Sequence, residues 1–254
     1  MTSVASPHTE RPRSDAIRPP SRFMIEPLRP VARFVVRRWI GVRVHGAEHV
    51  PATGPVIFAA NHVGVMDGPL LAIFAPRPVH VLTKVEMFKG WLGRILRGAG
   101  QIPLDRFRSD PAAVKTCLRV LRDGRAVGIF PEGRRGGGDL TRIHRGAAYL
   151  ALVSGAPIVP VVFIGTREPG GHNNSLPPRR TPVDVVFGAP YQLSAVPWPR
   201  TREQVEQSSV LIREYLQAHL DRALTTTGRE LPGPVPAAEV ERDPATGVTE
   251  QGAP

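Results

Sequence analysis

The sequence predicts an α/β fold: a single domain with a mostly parallel central sheet flanked by helices, preceded by an N-terminal amphipathic helical segment. Three observations carry this. Six short apolar runs, each bounded by Gly or Pro, have the pattern of buried strands. The stretches between them carry helix start and stop signals. Residues capable of chemistry cluster just after the runs, where such sheets present reactive groups on loops.

In chain order, "FMIEPLRPVARFVVRRWIGVRV" (23–44) spaces Val31, Phe34, Val35 and Trp39 helically, with Arg33, Arg37 and Arg38 between them. Two readings fit that pattern: a helix packed on the domain, or a basic helix lying on a membrane surface. The strand-like runs are "PVIFAA" (55–60), "VHVLTK" (79–84), "QIPLD" (101–105), "AVGIF" (126–130), "PIVPVVFIG" (157–165) and "VDVVFG" (183–188). Among the helices, "DPAAVKTCLRVLRD" (110–123) offers Asp110 as N-cap, Pro111 at the first helical position and Gly124 as the stop. "RGAAYLALVS" (145–154) ends at Gly155 in the same way. The segment from Thr201 to Ala223 opens on Thr-x-x-Gln, the spacing of a capping box. Residues 1–23 and 225–254 are polar and Pro-rich and read as disordered tails, so 24–44 is the membrane-proximal segment and 45–224 the domain.

Composition bounds the function. The net charge is +11, but only Lys84, Lys89 and Lys115 are lysines among 33 basic residues, an Arg bias that genome composition alone can produce. Placement says more than the total. Residues 1–45 hold nine Arg against Glu10, Asp15 and Glu26, a local excess suited to phosphates or anionic headgroups. A nucleic-acid-binding protein would share the charge, yet only 6% of residues are aromatic and no basic stretch interleaves with aromatics as a stacking surface would, which argues against a nucleic-acid partner. The lone Cys117, in the apolar "VKTCLRVL", permits no intrachain disulfide and reads as a core thiol. The eight His residues show no paired ligand spacing, so no metal is expected. No apolar run approaches the roughly 18–20 residues that span a bilayer, and the N-terminus lacks a secretory h-region, so a cytoplasmic location is expected.

The stretch "NHVGVMDG" directly follows the first strand-like run. A separation of five rotates His62 and Asp67 about 140° apart on a regular helix, so they meet only if the segment turns. Gly64 and Gly68 make such a turn plausible, with Asp67 near a helix start. Together they would form a general-base dyad, Asp67 fixing the imidazole tautomer and the other nitrogen taking a proton. Further strand ends bring Asp105 and Arg106 ("IPLDR"), then Glu132, Gly133, Arg134 and Arg135 ("FPEGRRGGGD"), where guanidinium groups and Gly backbone could bind phosphate.

The ordered set "NHVGVMD", "GQIPLDR", "FPEGRR" and "APIVPVV" closely resembles the lysophospholipid and glycerophosphate acyltransferase family, the PlsC-type 1-acylglycerol-3-phosphate O-acyltransferases, across roughly residues 40–190. The resemblance implies that His62 deprotonates the acceptor hydroxyl, with Asp67 orienting it. The hydroxyl then attacks an acyl thioester directly, without an acyl-enzyme. It also implies that Arg106, Glu132, Gly133 and Arg135 bind the acceptor's glycerol phosphate, that Pro157 and Pro160 shape the apolar part of the site, and that Lys84 adds a cation. No cofactor is implied. The partners would be a lysophosphatidate-type acceptor, acyl-CoA or acyl carrier protein as donor, and the cytoplasmic face of the membrane, bound peripherally. Two positions depart from the family pattern: Arg134 stands where Thr is usual, and Gly64 where a small polar residue is common. A related acyltransferase group with H-x3-D is disfavoured, because Val63 to Met66 put four residues between His62 and Asp67. Other acceptors, including glycerol 3-phosphate, and an inert lipid-binding relative remain as alternative readings.

Overall fold

The computed structural model describes residues 14–240, apart from 22, 25 and 198, together with the backbone of 248–250. Its elements are α1 (Arg29–Trp39), β1 (Gly41–His45), β2 (Val56–Ala60), α2 (Asp67–Phe74), β3 (Val79–Lys84), α3 (Gly90–Gly98), β4 (Ile102–Leu104), α4 (Pro111–Arg122), β5 (Ala126–Ile129), β6 (Arg142–His144), α5 (Gly146–Ser154), β7 (Ile158–Ile164), β8 (Pro182–Phe187), α6 (Arg202–Thr227) and β9 (Val248–Glu250).

Seven strands form one sheet in the order β1-β8-β7-β2-β5-β3-β4. The pairs among β7, β2, β5, β3 and β4 are all parallel, β8 runs antiparallel to β7, and β1 runs parallel to β8. A mostly parallel sheet needs cover on both faces, and the alternation along each strand supplies it. On β2, Ile57 and Ala59 join the core under α4, α5 and α6. Val56, Phe58 and Ala60 join the opposite core under α1 and α2. The parallel arrangement brings the C-terminal ends of β2, β4, β5 and β7 to one edge of the domain, where ligands bind in open α/β sheets.

Local signals act as their chemistry dictates. The Asp110 side chain accepts from the Ala113 amide with Pro111 at the helix start, and Thr201 and Gln204 close a reciprocal capping box on α6.

Three boundaries differ from the sequence reading, each for a physical reason. The helix of the 24–44 segment stops at Trp39, and Gly41–His45 becomes the edge strand β1, because "GVRVH" alternates with period two and pairs in register with β8. The first tail is not featureless over its described part: Arg119 donates to the carbonyls of Asp15 and Ile17, and Arg122 pairs with Asp15, so guanidinium groups of α4 grip the turn at Ser14–Ile17. At the other end, α6 runs on to Thr227, and residues 228–240 return over the domain with Val235 buried. Residues 1–13, 241–247 and 251–254 of the expected tails lie outside the described residues.

Candidate active site

β2 ends at Ala60, and the next residue sets the course of the chain. Asn61 is fully buried; its amide donates to the Phe163 carbonyl (3.1 Å) and its Oδ1 accepts from the Phe163 amide (2.7 Å). The side chain thus stands in for a backbone rung between β2 and β7 where the chain leaves the sheet. The chain then turns, as the His62–Asp67 spacing required, and α2 begins at Asp67.

The turn brings the dyad together. His62 Nδ1 lies 2.8 Å from Asp67 Oδ2, and the same oxygen accepts from the amides of Val63 and Gly64, each at 2.8 Å. Asp67 is fully buried at the first turn of α2, where the helix dipole favours a carboxylate. An acceptor on Nδ1 makes that nitrogen the protonated one and leaves Nε2 with the lone pair. The imidazole remains 16% exposed, and its Nε2 has no hydrogen-bond partner among the described residues. Phe130, just past β5, stacks on the ring at 4.2 Å between centroids and 25° between planes, which fixes its orientation.

Gly64 sits in this turn for a steric reason. A Cβ there would stand 2.7 Å from the Thr166 carbonyl oxygen, a backbone atom of the loop after β7. Gly64→Ala therefore should lower stability by about 1–3 kcal/mol and displace the dyad. Urea titration checks the stability; an unchanged midpoint would mean that the two loops part freely.

The block after β5 closes over the dyad from the other side. Glu132 Oε1 accepts from the His62 amide (2.8 Å), and the Gly136 amide donates to the His62 carbonyl (2.9 Å). Enclosure pushes the half-buried Glu132 carboxyl up to about 8, with Asp139 and Asp67 adding repulsion and the His62 amide and Arg134 opposing it. Gly133 takes a left-handed conformation (φ 71°), and its carbonyl receives Arg106 Nη1 at 2.8 Å. Lys84, the last residue of β3, is in register with Leu104 and so borders the Arg106 loop. His62, Asp67, Glu132, Gly133 and Arg106 thus form one continuous site. Arg135 is buried, and its Nη1 donates to the Asn173 carbonyl (3.0 Å) and Asn174 Oδ1 (2.7 Å), holding the loop after β7.

Beside the site lies a cavity of about 390 Å³ lined by Arg106, Gly133 and Phe130 together with Leu82, Val114 and Leu150. Cys117 also lines it, but burial pushes its thiol up to about 12, so it offers no thiolate near neutral pH. Pro160 belongs to β7, opposite Ala59.

Sequence reasoning missed one prominent residue. Arg167, three residues past the end of β7, is only 2% exposed, and it donates to the carbonyls of Val63 (2.8 Å), Gly171 (3.1 Å), Gly136 (3.0 Å) and Gly233 (2.6 Å). The signal was present: "GTR" puts an Arg just past a strand-like run, the rule that selected Arg106.

Fold and site define the class: an α/β protein with a hydrogen-bonded imidazole–carboxylate pair at the carboxyl edge of its sheet. Residues 41–164, just under half of the chain, match the family model described as Acyltransferase. It is 35% identical over 127 residues to a 1-acyl-sn-glycerol-3-phosphate acyltransferase of Bacillus subtilis, covering 49% of this chain and 63% of the relative. A protein of the same name from Borreliella burgdorferi is 36% identical over 134 residues, 51% of this chain and 53% of that one. The chain thus spans between half and two thirds of the length of these relatives. Its fold is that of the crystal structure of the 1-acyl-sn-glycerophosphate acyltransferase PlsC from Thermotoga maritima, with a TM-score of 0.60 over 80% of this chain and 79% of that one, at 20% identity.

Proposed function

We propose that the protein is a phospholipid-biosynthetic O-acyltransferase, moving a fatty acyl group from a thioester donor to the free hydroxyl of 1-acylglycerol-3-phosphate to give phosphatidic acid. The observation that carries this reading is the dyad: a buried carboxylate on Nδ1 with Nε2 left open. His62 Nε2 takes the hydroxyl proton as the acceptor oxygen attacks the thioester carbonyl. The tetrahedral intermediate then collapses, the C–S bond breaks, and the imidazolium returns a proton to the leaving thiolate. Both steps balance without a cofactor. Arg106 at the rim supports phosphate binding, with Lys84 beside it, and the apolar cavity beyond Phe130 is suited to an acyl chain. The donor is acyl-CoA or acyl carrier protein.

Peripheral membrane contact, at the cytoplasmic face in this reading, is supported by α1. A helix that merely packed would bury its large apolar side chains, yet Phe34 is 69% exposed and Val31 and Val35 also face outward. Two of its arginines point in: Arg33 donates to the carbonyls of Ile73 (2.8 Å) and Ala75 (2.9 Å), at the negative end of the α2 dipole, and Arg29 reaches the same carbonyls, while Arg37 and Arg38 are exposed. Burial lowers Arg29 to about 10, still charged near neutral pH. On α3, Trp91 is 72% exposed and Ile95 is exposed too, and the Met24 amide bonds the Gly98 carbonyl where the α1 approach meets α3. No helix among the described residues is long and apolar enough to cross a membrane. Exposed apolar residues on α1 and α3, with Arg38 and Arg94 exposed on the same two helices, support monotopic binding to anionic lipid.

Two measurements test this. Thiol release from long-chain acyl-CoA should depend on added 1-acylglycerol-3-phosphate and exceed release with other lysolipids or glycerol 3-phosphate; preference for another lysolipid would reassign the acceptor, and Arg134 is then the first residue to vary. In flotation with anionic liposomes, Phe34→Asp with Trp91→Asp should cut the bound fraction at least about tenfold. Equal co-flotation of the wild type and the double variant would rule out this surface as the membrane contact.

A further inference from the structure

We propose that Arg167 is the positioning residue of the base: a buried cation that fastens both loops around His62 and lends positive potential to the Asp67 side, with the C-terminal segment 228–240 completing its cradle. The four hydrogen bonds of Arg167 all go to neutral carbonyls, so none of them neutralises its charge. A buried cation is tolerated only with compensation. The acidic group that acts on it is Asp67, whose field raises the Arg167 proton affinity against its desolvation. The need is mutual. Asp67 is fully buried, three donors crowd on its Oδ2, and its Oδ1 has no hydrogen-bond partner. A carboxylate in that state requires a positive potential beyond its hydrogen bonds, and the α2 terminus with Arg167 supplies it.

The choice of carbonyls points the same way. Arg167 Nε holds the carbonyl of Val63, whose own amide binds Asp67; Arg167 Nη2 holds the carbonyl of Gly136, whose amide binds the His62 carbonyl. One planar guanidinium therefore fixes the peptide on each side of the base. The remaining N–H contacts reach the loop after β7 at Gly171 and the C-terminal segment at Gly233. That segment is itself tied back, since the Asn173 amide donates to Glu239 Oε2 (2.8 Å) and the Asn173 side chain to the Glu239 carbonyl (2.8 Å). A stretch that the sequence alone reads as tail thus becomes a wall of the site.

The titratable and charged groups around the pair are Glu132 on the β5 loop, which keeps its proton near neutral pH, with Asp139 and Arg134 acting on it, and Arg167 on the β7 loop. Removing the Arg167 charge favours protonation of the His62–Asp67 pair as a whole, because a neighbouring cation opposes every added proton. The proposal rests on the dyad acting as the base of acyl transfer. The experiment compares full-length Arg167→Met and Arg167→Lys with the wild type. It combines kcat and KM across pH with ¹⁵N NMR of the histidine side chains, the His62 signal being assigned by its loss in His62→Ala. Arg167→Met should lower kcat roughly 10–100-fold with a smaller change in KM. It should also move the acid limb, and the upper titration midpoint of the pair by NMR, to higher pH by about one unit. Arg167→Lys should restore the midpoint and part of kcat. An unshifted midpoint in a folded Arg167→Met protein overturns the proposal, as does an equal loss in Met and Lys variants. The NMR reading needs no substrate, so a wild type inactive with every acceptor would overturn the acyltransferase reading while leaving Arg167 judged separately.

Discussion

Asp67→Asn is expected to lower acyl transfer by roughly 10³–10⁴-fold in a protein that still folds. The size follows from what Oδ2 does. It accepts from His62 Nδ1 and from two backbone amides at once, and an amide side chain can present a single oxygen there without charge. If that oxygen stays with the Val63 and Gly64 amides, the imidazolium that forms during proton transfer loses its counter-charge. If the amide turns its NH₂ toward them, two donors face two donors in a fully buried place, and the turn itself deforms. Either way the proton is poorly held on Nδ1 and Nε2 is no longer reliably the base. Steady-state kcat and KM should show the loss almost wholly in kcat, because Asp67 is too deep to touch the acceptor. A variant retaining a tenth or more of wild-type kcat would reduce Asp67 to a helix cap.

The second large effect concerns stability and pH. Glu132 is raised from 4.5 to about 8 in the folded protein. The folded state therefore keeps a proton that the unfolded chain has released, and stability falls as pH rises between those values, by at most about 1.4 kcal/mol per pH unit and less to the extent that water reaches the carboxyl. The penalty is absent below the unfolded value and complete above about 8. Glu132→Gln keeps an oxygen for the His62 amide and cannot ionise, so its denaturation midpoint should lack this slope and exceed that of the wild type above pH 8. His219 acts in the opposite direction, since burial lowers its proton affinity and stability is lost as pH falls below 6.5. The difference between wild type and Glu132→Gln, measured from pH 5 to 9, removes that shared contribution. Parallel curves would mean that Glu132 is ionised throughout and pairs with a cation of its loop.

The outline of the fold was legible because parallel strands buried on both faces leave uninterrupted apolar runs, and all six such runs are strands. β1 was not, because an edge strand alternates: Val42 and Val44 with Arg43 between them continue the look of the preceding amphipathic helix. In α1 the apolar and basic residues were visible, but not which set faced outward, since that depends on the α2 carbonyls that Arg29 and Arg33 reach. His62 and Asp67 were legible as a pair from spacing plus glycines. The division of labour among the remaining polar residues was not. For Glu132 and Arg135, both expected at the acceptor, the sequence did not show the bonds to the His62 amide and the Asn173 loop that hold them in this structure. Arg167 was hidden because its partners are four carbonyls, which leave no mark in a sequence.

The central claim, that His62 is the base of an acyl transfer to a lysophosphatidate hydroxyl, is tested most directly by one assay. Purified protein is mixed with long-chain acyl-CoA and 1-acylglycerol-3-phosphate, in parallel with His62→Ala of matched folding, while free thiol and phosphatidic acid are measured together. The wild type should give equal amounts of thiol and phosphatidic acid, with no thiol burst in the absence of acceptor, and His62→Ala should lose at least about a thousandfold in rate. Phosphatidic acid formed by His62→Ala at the wild-type rate would contradict the claim.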